Sequence, residues 1–229
     1  MKMVNNKMDI LIRNEMEKDY RQVEELTREA FWNLYVPGCN EHYLVHIMRN
    51  HPDFISELDF VAIDGDDVIG NIMYSKSYVI DKTNSNHKID TITFGPVSVL
   101  PKHQRKGVGS ALIKHSIKIA SANKYNAIII LGHPHNYCKH GFKSSKDCNI
   151  SDSSGNYPYG LLVLELERGI FKNSKWTYFF SDLYEINQDD AEEFDKQFKP
   201  KKKEYTYTQE EYSIAYRAYL LLISILKND

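Results

Sequence analysis

A chain of 229 residues, 42% hydrophobic and 26% charged, can bury a sizeable core and has the balance of a soluble globular protein. Its formal net charge of −2 argues against a broad electrostatic grip on nucleic acid or on an anionic membrane, and no apolar run reaches membrane-spanning length. Cys39, Cys138 and Cys148 form no even framework, and Met1 is not followed by a signal-like apolar run, so free thiols and a cytoplasmic location are expected.

In chain order, Asp9 to Arg13 reads as a first short strand. Asp19 is placed to cap a helix in which Val23, Leu26, Ala30 and Phe31 recur at helical spacing, and Pro37-Gly38 breaks it. A second helix is expected from about Asn40, with Tyr43, Leu44, Ile47 and Met48 on its apolar side, ending before Pro52. Leu58 to Ile63 reads as a strand, Asp64-Gly65-Asp66-Asp67 as a hairpin turn, and Val68 to Tyr74 as the returning strand. A turn at 83–86 then leads into a strand from Ile89 to Leu100, giving an antiparallel meander. After a glycine turn comes a helix whose buried face is expected at Ala111, Leu112, His115, Ile119 and Ala122. Ala127 to Leu131 is a continuous apolar run, as for a strand covered on both faces and parallel to its neighbour. A loop and short helix follow, then a strand opening at Phe142 and a last strand within 159–167. The fold class is a mixed-sheet α/β protein.

Past Gly169 the composition changes, so residues 1–169 are expected as one domain and 170–229 as an extension packing on it or on a partner. Trp176 to Phe180 reads as a strand or an aromatic plug, Asp189 to Phe198 as an acidic helix, and Lys201-Lys202-Lys203 as a solvated loop. Thr208-Gln209-Glu210-Glu211 has the form of a capping box opening a helix to about Lys227. That helix is apolar almost all round from Tyr219 to Ile225, which suits packing, a homodimer contact or a lid.

The chemistry concentrates between Thr93 and Phe142. Gln104, Gly107 and Gly109 form a Gln-x-x-Gly-x-Gly turn between an apolar strand and a helix. Glycines let the backbone turn tightly, and a helix start offers free N–H groups, so the main chain from Arg105 to Ser110 is a candidate nest for a phosphate or pyrophosphate. Arg105 and Lys106 add positive charge, and Gln104 is expected to brace the turn.

Val97-Ser98-Val99-Leu100-Pro101, that turn, and Tyr137-x-x-x-Gly141-Phe142, in this order, resemble the GNAT (Gcn5-related) N-acetyltransferase superfamily, most of all its small bacterial members. The resemblance spans roughly the first three quarters of the chain and implies a GNAT fold with acetyl-CoA as co-substrate. It implies binding by Val97, Ser98, Val99, Gln104, Arg105, Lys106, Gly107, Val108, Gly109, Ser110 and Asn136. A strand kinked near Gly95-Pro96 would splay from the strand at 128–131 and leave main-chain groups for the pantetheine arm. One N–H within 97–99 would face the thioester oxygen, and the first two helices would wall the acceptor site. Tyr137 would protonate the leaving thiolate or only pack against the arm.

The proton acceptor is less defined. Some family members carry a glutamate on the strand that here reads Ile92 to Ser98 and holds no carboxylate. Glu41 is the candidate taken forward, with His42, His133 and His135 as alternatives, and with water-mediated deprotonation or an amine arriving neutral as others. The acceptor is expected to be a small-molecule or peptide amine. Phe31, Trp32, Tyr35 and Tyr43 suit a pocket for a partly apolar amine, and suit core packing equally. His133-x-His135-x-x-Cys138-x-His140 matches no common zinc spacing and overlaps the Tyr137 motif, so no metal is expected. A Rossmann-type nucleotide site would need a third glycine after Gly109. A non-catalytic CoA-binding sensor or interaction module is the alternative function.

Overall fold

Gly65, at φ +63°, reverses the chain between β2 (Phe60–Asp64) and β3 (Asp67–Asp81), and this hairpin is the middle of a mixed nine-stranded sheet. A computed structural model describes residues 10–220. Before the hairpin come β1 (Leu11–Asn14), α1 (Tyr20–Phe31) and α2 (Glu41–Met48); after it come β4 (Lys88–Val99), α3 (Val108–Ala122) and β5 (Ala127–Leu131). Then follow α4 (Pro134–Tyr137), β6 (Lys143–Ser144), β7 (Ile150–Ser151) and β8 (Leu161–Glu165), and finally β9 (Trp176–Phe180), α5 (Gln188–Asp195) and α6 (Tyr207–Arg217). The strands run β1-β2-β3-β4-β5-β8-β6, antiparallel except where β4 meets β5. Among the described residues no helix is long and apolar enough to cross a membrane. Asp9 of the expected first strand and residues 221–227 of the expected last helix lie outside the described residues.

Helices cover both faces of this sheet, which explains why its strands are apolar without clean alternation. Phe60, Ala62, Ile69 and Ile72 pack with Leu112 and Ile113 of α3. Val61, Ile63, Val68 and Met73 pack on the other face with Val23 and Leu26 of α1 and Val45 and Met48 of α2. β5 divides in the same way: Ile128 and Ile130 join the α3 side, whereas Ala127 and Ile129 pack with Phe171, Trp176 and Tyr178. Each such aliphatic side chain contributes roughly 1.5–3 kcal/mol on burial.

The segment after residue 170 joins this sheet. β9 pairs antiparallel with the far half of β3, from Ser77↔Phe180 to Asp81↔Trp176, along the edge that β2 leaves free. α5 is then clamped to the first two helices. Asp195 accepts from Arg28 Nε and Nη2 at 2.6 and 3.1 Å, and lies 3.1 Å from His42 Nε2. Lys202 O takes the Trp32 indole N–H, Asn33 O takes the Thr206 hydroxyl and the Gln209 amide, and Leu34 O takes the Thr208 hydroxyl.

Several local expectations are corrected. Asp19 precedes α1 but its carboxylate accepts from Arg13 and from Met16 N–H, so it braces the preceding turn rather than capping the helix. α3 buries Val108, Leu112, Ile113, Ser116 and Ala120; Ala111, His115 and Ile119 are half-buried and Ala122 is exposed. β3 continues seven residues beyond the expected Tyr74, paired with β4 and β9, and its inward Ser75 and Ser77 are satisfied by Tyr184 and Thr91. α6 begins at Tyr207, with Thr208 bonded outward to Leu34, and Ala218 has already left the helix with extended backbone.

Candidate active site

The meander and the parallel strand come apart where the site begins. β4 carries an extra residue: Tyr74 faces Phe94 and Ile72 faces Val97, so Gly95 and Pro96 together oppose Met73. Such a bulge bends the strand. β4 and β5 consequently share one register pair, Ile92 with Ile128, and diverge beyond it. Tyr178 of β9 reaches into the base of the gap and donates to Ile129 O at 3.2 Å. Above it lies a cavity of about 710 Å³ whose lining includes Thr93, Phe94, Gly95, Pro96, Val97 and Val99.

The glycine turn forms the next wall. Arg105 and Gly107 are both left-handed, at φ +58° and +91°, and Gln104 Nε2 donates to Val99 O at 3.1 Å, tying the turn to the end of β4. No side chain caps α3, and Ala111 N–H, to Gly107 O, is its first internal bond. The N–H groups of Val108, Gly109 and Ser110 are therefore outside the helical ladder, where a dipole and free donors suit an anion.

The cavity brings together only part of the expected binding set. Val97, Val99, Gln104, Gly109, Ser110 and Asn136 line it. Ser98 points the other way, fully buried with its hydroxyl 3.0 Å from that of Thr27. Val108 is core, and Arg105, Lys106 and Gly107 are exposed and do not line the cavity. Lys139 and His140 do line it, unanticipated because they sit inside the Tyr137 motif. Burial, with Lys139 and Lys114 nearby, holds His140 below the usual imidazole value and so neutral.

Tyr137 and Glu41 enter the same cavity from different elements. The Tyr137 ring packs between Phe94 and Phe142, with centroids 5.7 and 6.1 Å away. Burial pushes its phenol up to about 12, so it is a proton-bearing group at neutral pH. Glu41 opens α2, its Oε2 accepting from Asn40 N–H at 3.1 Å, and burial raises its carboxyl above the ordinary range. Among the described residues it is the one carboxylate lining the cavity.

The histidine alternatives separate clearly. His133 lines the cavity, with its Nδ1 accepting from His135 N–H, whereas His135 does not line it. His42 is fully buried between Cys39 and Asp195, away from the cavity. His133 and His135 stand 6.4 Å apart by ring centroid, and the residues from 133 to 140 do not converge as metal ligands do.

Aromatic residues supply the remaining walls, and two of the four that the sequence suggested are among them. Phe31 and Tyr35 line the cavity. Trp32 instead lies under the Arg28 guanidinium, 4.3 Å from it, and Tyr43 packs on Phe194 at 5.4 Å. In their place come Tyr178, Phe180, Tyr184, Tyr212 and Tyr216. Their signal was present as the aromatic run 176–180 and as the i, i+4 pair at 212 and 216, but the pairing of β9 with β3 was needed to aim them.

The family model described as Acetyltransferase (GNAT) family matches residues 21–142. Two of the solved structures that share the fold are GNAT family acetyltransferases. A GNAT family N-acetyltransferase (YhbS) from Escherichia coli in complex with CoA is 20% identical with a TM-score of 0.65, over 77% of this chain and 92% of that one. A GNAT family acetyltransferase from Brucella melitensis in complex with acetyl-CoA is 20% identical with a TM-score of 0.59, over 77% of this chain and 99% of that one. No curated protein sequence matches the chain.

Proposed function

Since the chain belongs to the GNAT acetyltransferase family, we propose that it transfers the acetyl group of acetyl-CoA to a primary amine by direct attack within a ternary complex. The observation that carries this reading is the gap between β4 and β5, which runs from the uncapped start of α3 to the Tyr137 phenol. Both expected ends of an acyl-CoA, diphosphate and thioester, thus have partners along one cavity. The structural likeness to proteins holding CoA and acetyl-CoA supports the same assignment.

Each role follows from the residues lining the gap. The main chain from Arg105 to Ser110 holds the diphosphate, with the Arg105 and Lys106 side chains adding positive charge at the turn itself. The free edges of β4 and β5 pair with the pantetheine amides. A main-chain N–H within 97–99 receives the thioester oxygen as it gains charge, a donor typically worth about 2.7–4 kcal/mol of the barrier. Holding amine and thioester together contributes about 7–11 kcal/mol, so alignment outweighs any one side chain. Glu41 accepts the proton the amine loses, directly or through water, as the C–N bond forms. Tyr137 gives its proton to the sulfur as the C–S bond breaks, leaving an amide and free CoA. The shared cytoplasmic pool of acetyl-CoA would supply the reaction.

The alternative, a non-catalytic CoA-binding module, draws on the absence of a carboxylate between Ile92 and Ser98 of β4. Glu41 supplies one from α2. Calorimetry with acetyl-CoA and CoA tests the binding half, and release of free thiol with a mixed set of amines tests turnover. Binding without turnover favours the module; no binding at all removes both readings. Tyr137→Phe should lower kcat by about 10²–10⁴-fold with acetyl-CoA affinity kept.

A further inference from the structure

We propose that the acceptor is a monoamine with an aromatic body, held in an aromatic box that α6 and β9 complete around Glu41. This rests on the acetyl-transfer reading above. One wall is a continuous ring ladder: Phe31 to Tyr35 at 5.7 Å, Tyr35 to Tyr212 at 4.3 Å, and Tyr212 to Tyr216 at 5.8 Å. Phe180 and Tyr184, with ring centroids 6.1 Å apart, also line the cavity. Glu41 lines the same cavity as Tyr35 and Tyr212, and its charge acts on both phenols.

Chemistry narrows the occupant. Ring faces offer offset or edge-on stacking to another ring, and their negative quadrupoles attract an ammonium. One carboxylate can partner one ammonium. A polyamine or an aminoglycoside carries several, and each unpaired cation taken into this aromatic setting would be penalised. An extended peptide needs main-chain partners along its length, which ring faces do not provide. Tyr35 and Tyr212 remain 37% and 40% exposed, so an incoming ring has surface left to cover.

The two residues of the pair are fixed relative to each other. Thr206, Thr208 and Gln209 at the start of α6 all bond carbonyls of Asn33 and Leu34, in the loop that carries Tyr35. Tyr212 is therefore a specificity-determining position held by the extension, not a surface tyrosine in passing contact.

The test is a steady-state assay of thiol release by the full chain, with acetyl-CoA and 2-phenylethylamine, tryptamine, spermidine, kanamycin or trialanine as acceptor. The two aromatic amines should exceed the others in kcat/KM by at least about tenfold. Tyr212→Ala should raise KM for 2-phenylethylamine by about tenfold or more, leaving acetyl-CoA affinity unchanged by calorimetry. Tyr212→Leu keeps much of the packing volume and decides the matter should the alanine variant fail to fold. A preference for spermidine, kanamycin or trialanine, or an amine KM unmoved in both variants, overturns the proposal. Acetyl-CoA binding with none of the five amines acetylated also overturns it while the acetyl-CoA site stands. Absent acetyl-CoA binding, it is the underlying transferase reading that fails.

Discussion

Gly132 and Tyr137 are fitted to each other so closely that a Cβ on the glycine would lie 2.4 Å from Tyr137 Cε2 and 3.2 Å from Cζ. The phenol can occupy its place because the residue five positions earlier, at the end of β5, has no side chain. Gly132→Ala should displace the ring without touching the turn at Gly107. The expected result is a fall in kcat of about 10²-fold with acetyl-CoA affinity retained, read by paired kinetics and calorimetry. An unchanged kcat would mean that the position of the Tyr137 ring is immaterial to the chemistry.

Glu41 supplies a pH signature. Burial raises its carboxyl, so the deprotonated form that can take a proton is gained only above the ordinary carboxylate range. The proposed mechanism therefore gives kcat an acid limb, rising with pH through that elevated value. The phenol of Tyr137, pushed up to about 12, adds no alkaline limb near neutrality. Glu41→Gln should lower kcat by about 10²–10⁴-fold and abolish the acid limb. A surviving limb in the variant would assign it to another group.

Asp195 holds α5 to the body through the buried Arg28. Asp195→Ala would leave that guanidinium uncompensated, a change that in buried pairs costs about 3–5 kcal/mol; partial exposure of Asp195 places the expectation at the lower end. Denaturant unfolding measures it. A loss well under about 1 kcal/mol would show the pair to be surface-like.

His42 adds a titration to stability. Its imidazole, fully buried beside Cys39, is pushed down to about 4 by desolvation, against an unfolded value of 6.5. The folded state thus binds fewer protons than the unfolded one between those values, and stability present above the upper one is lost as pH falls through the window. The loss is up to roughly 3 kcal/mol. His42→Gln should flatten that part of the stability–pH curve, as thermal unfolding at stepped pH would report; an identical slope in the variant excludes this origin.

The glycine turn, the parallel strand and the Tyr137 helix could be read from local order because each is a short-range device. Gln104 does tie back to Val99, and the apolar run at Ala127 is covered on both faces. The buried face of α3 was misjudged for a definite reason. Ser116 sits inside because its hydroxyl is 2.8 Å from that of Tyr74, and an apolar periodicity cannot register a polar residue whose partner lies 42 positions away. The far half of β3 was hidden similarly, its serines satisfied by Thr91 and Tyr184. Trp32 and Tyr43 were plausible site aromatics by composition, but Arg28 and Phe194 claim them. The tyrosines that do reach the cavity come from strand pairing and helix docking over long sequence separations, which no window of the chain displays.

One consequence concerns where the chain could be cut. Phe171 and Trp176 lie beneath Ala127 and Ile129, and β9 shields the outer half of β3. A protein ending at Gly169 would keep every residue of its glycine turn yet carry an oily underside and a bare hydrogen-bonding rim, both invitations to stick to its own copies. Trimming should yield precipitate before it yields a minimal enzyme.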